Sequence, residues 1–154
     1  MGKEIERRFL VKGEAWRGLG RGVQYRQGYL STAAERIVRV RTAEGKGYLT
    51  VKGMGRGLSR TEFEYEIPFT DASAMLDGLC ERPLIKKIRY RVEHCGMLWE
   101  VDEFQAENKC LILAEVELSY ESQDFEPPAW LGKEVTHDPR YLNANLVKNP
   151  YKEW

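Results

Sequence analysis

Glu4, Glu6 and Arg8 stand at alternate positions of the opening segment Glu4-Ile5-Glu6-Arg7-Arg8-Phe9-Leu10-Val11. In an extended strand, residues two apart share a face. Two carboxylates followed by a guanidinium on one face can hold a divalent cation and an anion side by side. The pattern recurs along the chain. Arg39 and Arg41 alternate with Val38 and Val40, and Tyr48, Thr50 and Lys52 with Leu49 and Val51. Glu62, Glu64 and Glu66 alternate with Phe63, Tyr65 and Ile67, and Lys87, Arg89 and Arg91 with Ile88, Tyr90 and Val92. Glu100 and Asp102 alternate with Trp99 and Val101, and Glu115 and Glu117 with Ala114, Val116 and Leu118.

Any one of these rows is what an antiparallel sheet commonly turns toward water. As a set they are harder to assign to solvent, because whole rows carry one sign and like charges side by side repel. Each row therefore suits a partner of opposite sign. Acidic rows offer the hard oxygen donors of Mg2+ or Mn2+ and not the ligands of zinc. Basic rows suit a polyanion, whose phosphate oxygens guanidinium groups grip in pairs. Metal and cationic cage together are the equipment of phosphoryl transfer, where positioning and charge neutralisation carry most of the catalysis.

The elements that must position these rows are mostly strands. Period-two patterning predicts strands at 3–11, 22–31, 35–43, 47–53, 60–68, 86–94, 97–104 and 111–120, joined by short polar or glycine-containing links. Eight such strands predict a mainly β (α+β) fold, an antiparallel meander closing into a barrel, with a few peripheral helices. If the charged rows point inward, the lumen is a polar tunnel. Helical patterning is expected at 71–81 behind Thr70 and Asp71 as caps, in a short piece at 13–19, in a turn or short helix at 129–132, and from Asp138-Pro139 to about Val147. The glycine-rich stretch 52–60 reads as a flexible hairpin link, with Arg56 and Arg60 able to close over an anion. Trp16, Trp99 and Trp130 read as packing residues.

At 154 residues without repeat or linker, the chain reads as one domain over 1–154. Charged residues reach 31%, yet 24 basic side chains balance 24 acidic ones. That balance disfavours a general nucleic-acid or membrane-surface binder, which shows an excess of Lys and Arg. Cys80, Cys95 and Cys110 are odd in number and lack close pairing, as expected of free thiols in a cytoplasmic protein. With His94 and His137 the only histidines, a histidine-rich metal site is excluded. The phosphate-loop and dinucleotide-binding glycine motifs are also missing.

The ordered motifs resemble the CYTH, or triphosphate tunnel metalloenzyme, superfamily. The resemblance rests on the E-x-E opening, Arg26-Gln27-Gly28-Tyr29-Leu30, Val38-Arg39-Val40-Arg41, Leu49-Thr50-Val51-Lys52 and Leu58-Ser59-Arg60-Thr61-Glu62-Phe63-Glu64. It continues through Lys87-Ile88-Arg89-Tyr90, Ala114-Glu115-Val116-Glu117, and Trp130-Leu131-Gly132-Lys133-Glu134-Val135-Thr136 with Tyr141 and Asn143. It implies an eight-stranded tunnel that binds a triphosphate and Mg2+ or Mn2+. Glu4, Glu6, Glu115 and Glu117 would form the metal group, with Glu62, Glu64 and Asp102 as further acidic residues. Arg39, Arg41, Lys52, Lys87 and Arg89 would clamp phosphates, joined by Arg60 and Lys133.

The short length is similar to bacterial members that act on inorganic tripolyphosphate, giving a small-molecule partner and a monomer or homodimer. A class IV adenylate cyclase and a non-catalytic polyphosphate or nucleotide binder are the rival readings. The sequence shows no clear adenine pocket. One departure stands out. The family's E-x-E-x-K lysine, which would pair with Tyr29 near the attacking water, is Arg8 here. A guanidinium stays protonated and cannot act as a general base, so Arg8 is expected to contact phosphate or to orient Tyr29.

Overall fold

The chain, seen in a computed structural model that describes residues 2–154, is built on a ring of antiparallel strands. In chain order these are β1 (Lys3–Val11), β2 (Gly22–Ala33), β3 (Arg36–Ala43), β4 (Lys46–Arg56), β5 (Ser59–Ile67), β6 (Ile85–His94), β7 (Met97–Phe104), β8 (Ile112–Glu117) and β9 (Leu131–Glu134). The sheet runs β5-β4-β3-β2-β6-β7-β8-β1, and β5 pairs back onto β1. This pairing closes the eight-stranded ring, over Lys3–Ile5 of β1 and Ser59–Thr61 of β5.

Turn chemistry fixes the meander. The β3–β4 link Glu44-Gly45 and the β6–β7 link Cys95-Gly96 hold both central residues at positive φ. That is the two-residue turn whose twist matches the flanking strands. The stretch 52–60, expected as a loose link, is mostly strand: β4 runs on through Arg56, takes a register shift between Lys52 and Gly55, and turns at Gly57-Leu58.

The turn expected at 129–132 is present at Ala129-Trp130, with Leu131 N–H donating to the Pro128 carbonyl at 3.0 Å, and it leads into a ninth strand that was not expected. One edge of β1 pairs with β8 along Glu6–Leu10. The other edge pairs with β5 only at Lys3–Ile5, leaving Phe9–Val11 for β9. Backbone groups in that half of β1 need partners, and Leu131–Glu134 supplies them.

Alternation then sorts the side chains, with the charged rows inward and the apolar rows outward. Ile5, Phe9, Val92, Trp99, Val101, Ala114 and Val116 form a buried outer cluster under Trp16 and Trp130. Trp16 comes from a single-turn helix at Ala15–Leu19, within the expected 13–19. On the opposite flank α1 (Phe69–Gly78) lays Ala72 and Leu76 over Val40, with Leu49 packed alongside. The helix starts earlier than the expected 71–81, because Pro68 rather than Thr70 or Asp71 occupies the cap position. Its close seating depends on Gly28 and Gly47. A Cβ there would lie 2.8 Å from the Cys80 Cβ and 2.7 Å from the Ala72 Cβ respectively.

One end of the lumen is apolar. Ile37, Ile85, Phe104 and Leu113 pack there against Tyr141, Ala144, Leu146 and Val147. The expected continuous helix from 139 is broken into a single turn at Pro139–Tyr141, an extended Leu142, and α2 (Asn143–Lys148). The break lets Asn143 face the cavity. Among the described residues no helix is long and apolar enough to cross a membrane.

Candidate active site

The inward rows enclose a cavity of about 580 Å3. Of the residues expected to do chemistry, Glu4, Glu6, Arg8, Tyr29, Arg39, Arg41, Lys52, Arg60, Glu62, Glu64, Lys87, Arg89, Glu115 and Glu117 all line it. Asp102 and Lys133 do not. Lys133 lies exposed on β9, the strand added outside the ring. Asp102 is 1% exposed and sits beneath the cationic wall.

The acidic residues divide into three settings. On β1 and β8, Glu4, Glu6, Glu115 and Glu117 form one wall. Burial, followed by the Glu115 and Glu4 carboxylates, pushes Glu6 well above the ordinary carboxylate range against the pull of Arg8. Burial also raises Glu4, with Lys52 opposing and Glu62 and Glu115 adding. Glu117 is raised by burial, Glu4 and Glu100. Burial acts upward on Glu115 too, but Arg8 and a hydrogen bond with Glu6 outweigh it and bring it to about 2.

Glu62 and Glu64 on β5 belong with cations instead. Lys52 Nζ lies 3.2 Å from both Glu4 and Glu62. Glu64 accepts from the Thr50 hydroxyl at 2.7 Å and meets Arg39 and Arg41 at 3.2 and 3.5 Å. Although burial opposes it, these partners hold both carboxyls below their ordinary range. Asp102 is the third case. It accepts from Arg89 Nε at 2.7 Å and Nη2 at 2.9 Å, and pairs with Lys87 Nζ at 2.8 Å. Those two cations outweigh burial and keep it ionised far below the usual range.

The basic wall is crowded and largely buried. Burial and the neighbouring Arg39 and Arg89 bring Arg41 down to about 10. Burial takes Lys87 down to about 8, although Asp102 pulls it upward. The buried Nε atoms of Arg8, Arg39 and Arg41 have no hydrogen-bond partner among the described residues. Such donors cost free energy unless something accepts from them. Arg60 is partly committed, donating from Nε and Nη2 to the Gly53 carbonyl at 3.2 and 3.1 Å.

Arg8 lines the cavity and is held by carboxylates. Its Nη2 donates to Glu6 at 2.9 Å and lies 3.7 Å from Glu115, so it bridges carboxylates of the acidic wall. Tyr29 takes its hydrogen bond from Gln27 Nε2 at 3.3 Å, not from Arg8. The structure also adds residues outside the expected set. The Asn143 side-chain carbonyl accepts from Lys87 Nζ and Gln27 Nε2, both at 3.1 Å, and fixes the ammonium from the helical side. Arg91 and Glu100 line the cavity as well, and both follow the alternation that marked Lys87, Arg89 and Asp102. Gln27 is uncharged and carries no such signal.

The donor set can accept a hard cation. Every acidic group facing the cavity is a glutamate, and no histidine or cysteine lines it. No three acidic, histidine or cysteine side chains among the described residues already converge as a ready-made cage. The carboxylates are turned to Lys52 and Arg8 instead. Burial, with mutual repulsion added, raises Glu4, Glu6 and Glu117 beyond what those two cations offset.

A closed antiparallel tunnel with opposed acidic and basic rows defines a barrel that handles polyanions. The chain belongs to the CYTH domain family, whose model matches residues 2–151. It is 55% identical over 154 residues to an inorganic triphosphatase of Acetivibrio thermocellus, covering 100% of this chain and 99% of that protein. It is 40% identical over 152 residues to an inorganic triphosphatase of Nitrosomonas europaea, covering 94% of this chain and 96% of that protein. The crystal structure of the inorganic triphosphatase NE1496 superposes with a TM-score of 0.64 at 35% identity, covering 94% and 93% of the two chains.

Proposed function

We propose that the chain, acting as one domain over 1–154, is a metal-dependent inorganic triphosphatase that hydrolyses tripolyphosphate to pyrophosphate and phosphate. The observation that carries this reading is the cavity wall itself. Eight cationic and seven acidic side chains line one space, so a ligand that satisfies it brings charges of both signs. A polyphosphate with a divalent cation does so, and full-length relatives named inorganic triphosphatase support the choice.

Glu4, Glu6, Glu115 and Glu117 would hold Mg2+ or Mn2+. Bound there, the ion would neutralise phosphoryl oxygens and acidify a coordinated water. Arg39, Arg41, Lys52, Lys87 and Arg89 bind the phosphoryl oxygens, and the orphaned Nε donors of Arg39 and Arg41 gain acceptors. Asp102 orients Arg89 and Lys87 from below, while Asn143 and Gln27 hold the Lys87 ammonium. It is therefore a positioning residue rather than a metal ligand. In hydrolysis, water oxygen bonds to the terminal phosphorus, the bond to the bridging oxygen breaks, and pyrophosphate leaves with that oxygen. The cationic wall, fixed in place before the reaction, absorbs the charge that moves onto the leaving group. Arg8, always protonated, takes no proton and holds Glu6 and Glu115 in place.

The balanced charge and the free thiols of Cys80, Cys95 and Cys110 support a cytoplasmic enzyme acting on a small molecule. The test is a panel of tripolyphosphate, ATP, thiamine triphosphate and pyrophosphate with Mg2+ or Mn2+, with products resolved. Equal phosphate and pyrophosphate from tripolyphosphate is the expected result. Cyclic AMP from ATP would instead make the protein a cyclase, and no turnover with any of the four would leave a binding module.

A further inference from the structure

Beside the tunnel lies a smaller cavity of about 160 Å3, lined by Arg21, Val23, Tyr25, Glu44, Arg89 and Arg91. Arg89 and Arg91 line both spaces. Tyr25 separates them. Its ring centre is 4.9 Å from the Arg89 guanidinium carbon and 5.1 Å from that of Arg41, which faces only the tunnel. The side chain is 5% exposed, and its hydroxyl accepts from Arg91 Nη2 at 3.2 Å.

Guanidinium groups dominate the lining of this side chamber, with Arg89 committed to Asp102 beneath it. Three guanidinium groups face one carboxylate, Glu44, which Arg21 already holds at 2.6 Å. Arg91 finds its carboxylate on the tunnel side, with Nε 3.3 Å from Glu100. The Tyr25 hydroxyl accepts a hydrogen bond, but its own proton has no acceptor among the described residues. Guanidinium and phenol donors around a small space form an environment for a compact oxyanion. At roughly 30 Å3 of liquid volume per water, the chamber has room for one tetrahedral oxyanion and some solvent.

We propose that this chamber is a second oxyanion site, separate from the tunnel, that binds orthophosphate through Arg21, Arg91 and the Tyr25 hydroxyl. Arg91 couples the two sites, because one guanidinium cannot serve both sides fully. Phosphate in the chamber draws it from Glu100, so the tunnel rim loses a cation and Glu100 is left with Arg89 alone, 3.3 Å away. Polyanion affinity falls without the tunnel being filled. If the tunnel is a triphosphatase site, orthophosphate is its product, and the chamber gives partial inhibition in which the apparent KM rises to a plateau.

The direct test is calorimetric titration with orthophosphate, metal chelated, with and without saturating tripolyphosphate. It is run on the wild type, Arg21→Gln and Tyr25→Phe. With tripolyphosphate in the tunnel, the wild type is expected to bind one equivalent of phosphate. Arg21→Gln, a change at a side chain 76% exposed, weakens that site by about tenfold or more, as loss of a charge-assisted contact implies. It leaves tripolyphosphate affinity and basal turnover unchanged, and Tyr25→Phe weakens phosphate binding less. Phosphate binding that tripolyphosphate abolishes, or that Arg21→Gln leaves intact, overturns the proposal. Should tripolyphosphate itself not bind, the triphosphatase reading fails, and the Arg21→Gln titration still decides the chamber.

Discussion

The two walls of the tunnel handle buried charge in opposite ways. The basic wall has carboxylate partners built into the protein: Asp102, 1% exposed, pairs with both Arg89 and Lys87, and Glu64 pairs with Arg39 and Arg41, although burial and neighbouring cations still lower Arg41 and Lys87. On the acidic wall Arg8 holds Glu115 low, but its three neighbours are not so held. Glu4, Glu6 and Glu117 are all raised above their ordinary range, because burial and mutual repulsion exceed what Lys52 and Arg8 return. The metal proposed for the second wall would make up that shortfall. On this reading the difference separates carboxylates that stabilise the fold from carboxylates proposed to hold a ligand.

Breaking the compensated wall should cost the most stability. Asp102→Ala leaves a guanidinium and an ammonium buried without their shared carboxylate, a change that typically destabilises by about 3–5 kcal/mol. Urea denaturation reads it directly. Glu117→Gln, on the under-compensated wall, should leave the midpoint unchanged or slightly raised. If both variants lost stability equally, the contrast between the walls would be wrong.

Activity should show the reverse order. Glu6→Gln and Glu115→Gln remove metal-wall carboxylates and are expected to lower kcat/KM on the order of 100-fold or more, about 2.7 kcal/mol of transition-state stabilisation. Glu6→Gln should stay near wild type in stability, whereas Glu115→Gln should lose some, because Arg8 and a hydrogen bond with Glu6 hold the Glu115 carboxylate ionised down to about 2. A metal titration sharpens the result, since raised Mg2+ or Mn2+ should recover part of the Glu6→Gln loss but none of the Asp102→Ala loss.

The walls were largely legible in the sequence because a barrel strand has a period of two. Single-sign rows at Glu4/Glu6, Lys87/Arg89 and Glu115/Glu117 mark faces wherever the strands go. Alternation does not say which face is inside, and here the apolar rows face outward under Trp16, Trp130 and α1. Nor does it show which carboxylate is spent on an internal ion pair. Asp102 has the same pattern as Glu100 and lies one layer deeper. Lys133 belonged to a motif, but its strand pairs outside the ring. Gln27 and Asn143 are uncharged and contribute through geometry that only the broken C-terminal helix creates.

The pH dependence separates the walls again, with a smaller effect. Burial holds the Lys87 ammonium at about 8, below its ordinary range. Lys87 therefore loses its charge in the folded protein as pH rises through that value, while the unfolded chain keeps its proton. Between about 8 and the ordinary lysine value of roughly 10.4, the unfolded state binds more protons, so stability contributed at this site rises with pH. Anion affinity moves the other way, because the neutral amine no longer attracts phosphate. Tripolyphosphate KM is expected to climb above pH 8 with proton uptake on binding, seen as a buffer-dependent binding enthalpy. Lys87→Met should weaken binding at neutral pH and remove the proton uptake.

The smallest effect is expected at the residue that spans the contrast. Arg8 is a cation on the acidic wall, where it donates to Glu6 and approaches Glu115. Glu115, Glu6, Glu4 and Tyr29 together outweigh the burial that would lower it, so its charge is secure. Lysine at this position keeps the charge but offers a compact ammonium in place of a planar fork, and it removes the orphaned Nε. Arg8→Lys should therefore keep the acidic wall in register and change kcat by no more than about threefold, within what one retained charge-assisted contact allows. Arg8→Met, which deletes the charge, should release repulsion among Glu4, Glu6 and Glu115 and cost far more. A rise in kcat of an order of magnitude in Arg8→Lys would give a different account: the guanidinium would then be holding Glu6 and Glu115 away from the cation they are positioned to bind.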